Sequence, residues 1–115
     1  MRLHRRVTGT GPDLVMIHGW GMNGSVWEEA AEHLGGRCRV TVVDLPGHGR
    51  SPWDGRTALE DWAGACLEAA PDRAVWMGWS LGAQVALRAA LEQNKDIEVV
   101  AFIKSLQRHL QRHII

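Results

Sequence analysis

Short apolar runs alternate along the chain with longer segments in which apolar residues recur at helical spacing. The apolar runs predict buried strands at residues 14–17, 40–43 and 74–77, and the helical segments lie at residues 25–34, 57–70 and 81–93. Parallel sheets with crossover helices show this alternation, because each helix returns the chain to the same edge of the sheet. The pattern therefore predicts an α/β fold.

The ends of two predicted helices carry local signals. Gly35 and Gly36 end the first helix, since glycine readily leaves helical geometry. Thr57 and Glu60 have the spacing of a capping box at the start of the second helix, and Pro71 stops it because proline cannot continue a helix. The predicted ends of both helices are thus marked by residue type as well as by periodicity.

Two further strands complete the predicted sheet. Val7 and its neighbours form a strand before a turn at residues 9–12, and the arginines around Val7 indicate a solvated edge. Residues 97–103 are apolar except for Glu98, which fits another parallel strand. We expect a three-layer α/β sandwich with about five strands in a mostly parallel sheet.

The last residues differ in character from the rest of the chain. All six tryptophans lie before residue 80, whereas residues 106–113 contain the unit LQRH twice. An amphipathic helix there would place the apolar residues at 103, 106, 110 and 114 on one face. The predicted organisation is one domain over residues 1–103, followed by a short helical tail over residues 104–115.

Composition narrows the class of protein. The chain has 115 residues, 13 Lys and Arg against 13 Asp and Glu, and 45% hydrophobic residues, which is typical of one small globular domain. No charge bias favours nucleic acid, and no apolar run suits a membrane span or a secretory signal. Cys38 and Cys66 are too few for a zinc ribbon or a disulfide framework. We expect both cysteines to be buried thiols in a reducing, cytoplasmic environment.

The sequence GWSLG at residues 78–82 matches the pattern G-x-S-x-G between a predicted strand and a predicted helix. A tight turn of this kind strains the serine backbone and exposes its hydroxyl. The N-terminus of the following helix favours negative charge that develops beside that hydroxyl. Ser80 is therefore the candidate nucleophile, and the N–H of Leu81 is a candidate oxyanion donor.

A glycine-rich turn, HGWGMN at residues 18–23, follows the predicted strand at residues 14–17. Open parallel sheets bind ligands at the carboxyl ends of their strands. Glycines on both sides of Trp20 allow its peptide to turn inward, so the Trp20 N–H is the predicted second oxyanion donor. The Trp20 indole is a candidate wall of an acyl pocket.

Three motifs together resemble the α/β-hydrolase family over about residues 1–92: HGWGMN, VVDLPGHGRS at residues 42–51, and GWSLG. More narrowly, they are similar to the pimeloyl-carrier-protein methyl ester esterases of biotin synthesis. The resemblance implies a carboxylic ester hydrolase that forms an acyl-enzyme on Ser80, with Trp20 and Leu81 as substrate contacts. It implies no cofactor and no metal, and its implied partner is a small acyl ester that a carrier protein can hold.

The family's acid and histidine follow the serine after two further strands, with a helical lid between them. The chain ends 35 residues after Ser80, so we expect the nucleophile half of such a site without lid, acid or base, and with impaired catalysis. His109 and His113 follow Ser80 in the right order, but a solvated helix face explains them better than a base or a metal site. His18 and His48 are expected to be structural or to line the pocket.

An alternative interpretation is a non-catalytic remnant or interaction module. A strand as apolar as residues 97–103 can pair with another chain if it lies at the edge of the sheet, so this hypothesis predicts self-association. Thioester hydrolysis, carbon–carbon bond hydrolysis and acyl transfer also stay open within the family, because the lid determines most of the substrate choice.

Overall fold

The computed structural model describes residues 1–92 and 96–102. Its strands and helices follow one another as β1 (Arg5–Gly9), β2 (Asp13–Ile17), α1 (Glu28–Leu34), β3 (Arg39–Val43), α2 (Leu59–Ala69), β4 (Arg73–Trp79), α3 (Leu81–Glu92) and β5 (Asp96–Phe102). A short 3-10 helix at Gly24–Trp27 leads into α1, so the first predicted helix is divided in two. The predicted α/β alternation is confirmed.

The sheet has the order β1-β3-β2-β4-β5. Strands β2 to β5 run parallel to one another, and β1 is antiparallel to its neighbour β3. The chain passes from β2 to β3 on one side and then to β4 on the other, so the strand order reverses around β2. A reversal of this kind opens a crevice at the carboxyl ends of the central strands, where α/β proteins bind ligands.

Helices cover both faces of the sheet, which confirms the three-layer sandwich. Val15 and Ile17 of β2 belong to a large core cluster with residues of α2 and α3, whereas Leu14 and Met16 belong to a smaller cluster with residues of α1. Because β2 is covered on both faces, its apolar residues form an uninterrupted run rather than an alternating one.

The core also contains residues whose chemistry is suppressed by burial. Trp76 is entirely buried in the larger cluster. Burial raises the pKa of the Cys66 thiol to about 12, so this cysteine behaves as a small apolar residue. Cys38 is only half-buried, so the prediction that both thiols are buried holds for Cys66 and is wrong for Cys38. Neither cysteine forms a disulfide.

The predicted capping box at the start of the second helix is wrong. Helix α2 begins at Leu59 after Ala58, and no side chain caps it. The N–H groups of Asp61 and Trp62 both donate to the Ala58 carbonyl, so the first turn closes on Ala58 and not on Thr57. The helix ends at Ala69, two residues before Pro71, as the proline predicts.

The remaining predictions concern the two ends of the chain, and some of them fall on residues outside the described ranges. Arg5, Arg6 and Val7 of β1 are exposed, which agrees with a solvated edge. Strand β5 is found where residues 97–103 predicted it, and Ile103 itself lies outside the described residues. The predicted helical tail at 104–115 also lies outside them. No helix within 1–92 and 96–102 is both long and apolar enough to cross a bilayer.

Candidate active site

Ser80 occupies the turn between β4 and α3 in a backbone conformation that non-glycine residues rarely adopt. Its φ is 54°, and within residues 1–92 and 96–102 no other non-glycine residue has a positive φ. The Ser80 carbonyl accepts hydrogen bonds from the N–H groups of Ala83 at 2.9 Å and Gln84 at 3.2 Å, so the helix starts immediately after the turn. Ser80 therefore stands at the carboxyl end of β4, beside the N-terminus of α3.

Gly78 and Gly82 are required at this turn for steric reasons. A Cβ on Gly78 would overlap the backbone of Gly82 and Ala83. A Cβ on Gly82 would overlap the carbonyl oxygen of Ile17 and lie 2.5 Å from that of His18. The two glycines thus let α3 pack directly on the end of β2, which brings the Ser80 turn against the loop that follows β2.

The positive φ of Ser80 predicts that Ser80→Gly stabilises the fold. We expect the free energy of unfolding of Ser80→Gly to be about 1 kcal/mol higher than that of Ser80→Ala, because glycine adopts this conformation without a steric cost. Urea denaturation of the two variants, followed by tryptophan fluorescence, measures the difference. An equal or lower midpoint for Ser80→Gly would show that the turn stores no strain.

The loop after β2 lies beside this turn because the two strands pair in parallel. Ile17 is the register partner of Gly78, so the chain leaves both strands side by side. A Cβ on Gly19 would lie 3.0 Å from Cδ1 of Trp79, which shows how closely the two turns approach. No hydrogen bond within the described residues engages the N–H of Trp20 or of Leu81. Both groups are therefore free to donate to a bound oxygen.

His18 and His48 use their ring nitrogens to bind backbone. Nδ1 of His18 lies 2.7 Å from the Gly19 carbonyl, and its Nε2 accepts the Leu45 N–H at 3.0 Å. Nδ1 of His48 lies 2.9 Å from the Pro46 carbonyl, and its Nε2 accepts the Gly21 N–H at 3.0 Å. These bonds tie together the loops after β2 and β3.

His18 is held in its neutral form by its surroundings. The side chain is completely buried, and desolvation is the main cause that lowers its pKa, with a further lowering from His48. The Gly19 carbonyl and Asp44 oppose this effect and raise the pKa, but the net shift is downward. A neutral imidazole agrees with the acceptor role of its Nε2.

Asp44 organises the loop after β3. Its buried carboxylate accepts the Gly24 N–H at 2.6 Å and the Arg50 N–H at 3.1 Å. Its carbonyl accepts the Ser51 hydroxyl at 2.6 Å, and a Cβ on Gly49 would overlap the carboxylate. These contacts are structural.

An apolar cleft of about 510 Å³ opens beside the Ser80 turn. Trp20, Trp53, Trp62 and Leu81 line it. The Trp20 and Trp62 rings are nearly parallel, with centroids 6.4 Å apart, and Nε1 of both Trp53 and Trp62 donates to the Arg56 carbonyl. The other lining residues are Pro46, Gly47, His48, Thr57, Leu59 and Gln84.

Nothing in the sequence pattern indicated that Trp53 and Trp62 line this cleft. Both indoles are anchored on the Arg56 carbonyl, which lies between them in sequence, so their convergence is a property of the folded loop. Size would not have marked the site either, because a larger hollow of about 790 Å³ beside β1 and α1 includes neither Trp20 nor Leu81, and Ser80 itself lines neither hollow. No group of three or more His, Cys, Asp or Glu side chains within the described part of the chain could hold a metal ion.

Known proteins resemble the chain in sequence and in fold. It is 54% identical over 90 residues to the pimeloyl-[acyl-carrier protein] methyl ester esterase of Methylococcus capsulatus. That alignment covers 78% of this chain and 35% of the relative. It is 47% identical over 105 residues to the protein of the same name from Vibrio cholerae. That alignment covers 91% of this chain and 41% of the relative. A marine microorganism esterase superposes with a TM-score of 0.83 at 24% identity, over 87% of this chain and 41% of that structure, and supports the fold alone.

The chain spans about two fifths of the length of these relatives. The sequence pattern of the Alpha/beta hydrolase family matches residues 14–112, which is most of the chain. The strand order around β2 and the strained turn at Ser80 agree with that match. The chain belongs to the alpha/beta hydrolase family.

Proposed function

We propose that the chain carries the nucleophile part of a carboxylic ester hydrolase active site, with Ser80 as the nucleophile. The observation that carries this proposal is the φ of 54° at Ser80, in a turn whose flanking glycines are packed against backbone. Strain at a single non-glycine residue is characteristic of functional sites, since it persists only where the surrounding structure holds it. The turn places Ser80 at the carboxyl end of β4, beside the loop that follows β2.

In the proposed mechanism, Oγ of Ser80 attacks the carbonyl carbon of the ester and gives its proton to a general base. The tetrahedral oxyanion accepts hydrogen bonds from the N–H groups of Trp20 and Leu81. Its collapse breaks the bond to the alkoxy group, which leaves as an alcohol with the proton from the base. Water then hydrolyses the acyl-serine by the same steps.

The general base has to come from outside the described residues. Both ring nitrogens of His18 and of His48 are occupied by backbone groups, and no hydrogen bond within the described residues joins a histidine to Ser80. A serine without a base is a weak nucleophile, so catalysis by residues 1–92 and 96–102 alone would be impaired. His109 and His113 lie outside those residues.

For the substrate, we infer an acyl chain with a methyl ester, carried by acyl carrier protein. This inference is supported by two relatives, 47% and 54% identical to this chain, that are named pimeloyl-[acyl-carrier protein] methyl ester esterases. A cleft of about 510 Å³ is within the usual range of small-molecule sites. The indoles of Trp20, Trp53 and Trp62 give the acyl chain an apolar wall. A carrier-protein substrate and free thiols both favour a cytoplasmic location.

A second candidate function is self-association without catalysis. Strand β5 is the last strand in the sheet order and pairs with β4 alone among the described strands. Its other edge offers backbone groups that a second chain can pair with. Sedimentation velocity over a range of concentrations detects such association.

Intact mass after incubation with a fluorophosphonate probe tests the proposed nucleophile. We expect one adduct on the wild-type chain and on Ser25→Ala, which removes an exposed serine, and none on Ser80→Ala. A folded wild-type sample that gains no adduct would contradict the esterase proposal. If that sample also forms dimers, self-association becomes the better-supported function. Loss of the methyl group from a pimeloyl-carrier-protein methyl ester, followed by mass, tests the substrate.

A further inference from the structure

Two loops at the carboxyl edge of the sheet are cross-linked by two imidazoles. The oxyanion loop, residues 18–22, follows β2, and the second loop, residues 44–51, follows β3. His18 of the oxyanion loop accepts the N–H of Leu45, and His48 of the second loop accepts the N–H of Gly21, both at 3.0 Å. Each imidazole therefore belongs to one loop and binds the backbone of the other.

The second nitrogen of each ring anchors it to its own loop and determines its tautomer. Nδ1 of His18 faces the Gly19 carbonyl and Nδ1 of His48 faces the Pro46 carbonyl. A carbonyl can only accept and an amide N–H can only donate, so Nδ1 carries the proton and Nε2 is bare in both rings. Both imidazoles are consequently neutral and in the Nδ1–H form.

The two rings also pack together and against the wall of the cleft. Their centroids are 5.1 Å apart. The His48 ring meets the Trp20 indole edge-on at 5.2 Å and the Trp62 indole at 5.9 Å. Trp20 is 71% exposed, so its ring contacts with His48 and with Trp62 are a large part of what orients its indole.

The oxyanion loop depends on such external support because its own backbone is permissive. Gly21 has a φ of 75° and no atom within 4 Å of where a Cβ would stand. Glycine in open space gains little rigidity from its own sterics. One internal bond closes the turn, from the Met22 N–H to the Gly19 carbonyl at 3.2 Å. The bond from the Gly21 N–H to His48 adds a restraint from outside the loop, one residue after Trp20.

We propose that His18 and His48 form a reciprocal latch that positions the Trp20 peptide and indole beside Ser80. They are positioning residues, because their ring nitrogens contact backbone and none is left for a proton transfer. This proposal depends on the proposed function at one point only, which is the oxyanion role of the Trp20 N–H. Its structural half, the two tautomers and the two cross-loop bonds, stands without any catalytic activity.

Nuclear magnetic resonance of the ¹⁵N-labelled chain tests the structural half. At about pH 8, above the ordinary pKa of histidine, we expect His18 and His48 to show the Nδ1–H pattern in two-bond ¹H–¹⁵N correlations. Exposed His33 on α1 serves as the reference for an unrestrained ring. An Nε2–H pattern for either His18 or His48 would overturn the latch.

Substitutions of His48 test the positioning half. His48→Gln keeps an acceptor near the position of Nε2, whereas His48→Leu removes it, and His33→Leu is the matched control. We expect His48→Leu to speed amide hydrogen exchange at Gly21 and to slow probe labelling of Ser80, each by about tenfold or more, and His48→Gln to restore most of both. Equal losses in His48→Gln and His48→Leu would overturn the proposal.

Two further outcomes separate this proposal from the proposed function. If the wild-type chain shows both Nδ1–H tautomers but Ser80 does not label, the latch is supported and the esterase proposal fails. If His48→Leu does not fold, as judged by circular dichroism, the decision falls to His48→Gln. Labelling of His48→Gln near the wild-type rate supports the latch, and a tenfold loss in that folded variant contradicts it.

Discussion

Gly82→Ala is expected to lower the free energy of unfolding by about 3 kcal/mol, the upper end of the usual cost of forcing an atom into a closely packed region. The added methyl would overlap the Ile17 carbonyl oxygen and lie 2.5 Å from the His18 carbonyl oxygen. Both neighbours are backbone of β2 or of the residue after it, and neither can rotate away as a side chain can. Relief therefore requires α3 to move away from the sheet.

Gly64→Ala is the matched control for that substitution. Gly64 also lies in a helix, α2, but a Cβ there would meet no atom within 4 Å. The same change should stabilise this helix by about 0.5–1 kcal/mol, because alanine loses less backbone entropy than glycine. Urea denaturation of both variants gives the comparison. If the two midpoints shift in the same direction, the close approach of α3 to β2 does not contribute to stability.

Asp44→Ala is expected to destabilise the fold by about 2–4 kcal/mol, since it leaves two backbone donors without their acceptor. The N–H of Gly24 and the N–H of Arg50 both bind this buried carboxylate. Gly24 opens the 3-10 helix before α1, and Arg50 belongs to the loop that contains His48. The loss should therefore loosen the second loop and slow probe labelling of Ser80 as well.

Asp54→Ala separates the effect of burial from the effect of losing a carboxylate. Asp54 also accepts a backbone N–H, that of Arg56 at 3.0 Å, but the side chain is exposed. Water can replace this acceptor, so the urea midpoint should change far less than in Asp44→Ala. Similar shifts of the urea midpoint in both variants would mean that burial of Asp44 does not increase the contribution of its hydrogen bonds to stability.

The strands were predictable because burial on both faces leaves a local mark. The runs at 14–17, 40–43 and 74–77 lie inside β2, β3 and β4, since parallel strands covered by helices contain few polar residues. The start of α2 was less predictable. Thr57 and Glu60 have the spacing of a capping box, but the first turn closes on the Ala58 carbonyl and no side chain caps it.

By itself, the sequence determined the layered α/β fold and the position of Ser80 in a strand-to-helix turn, because both depend on residues adjacent in the chain. Only the tertiary structure decided the cleft wall formed with Trp53 and Trp62. Only it decided the latch, whose two cross-loop bonds each join residues 27 positions apart. Periodicity reports which face of an element is buried, whereas the partner of a ring nitrogen depends on how β2 and β3 bring their loops together.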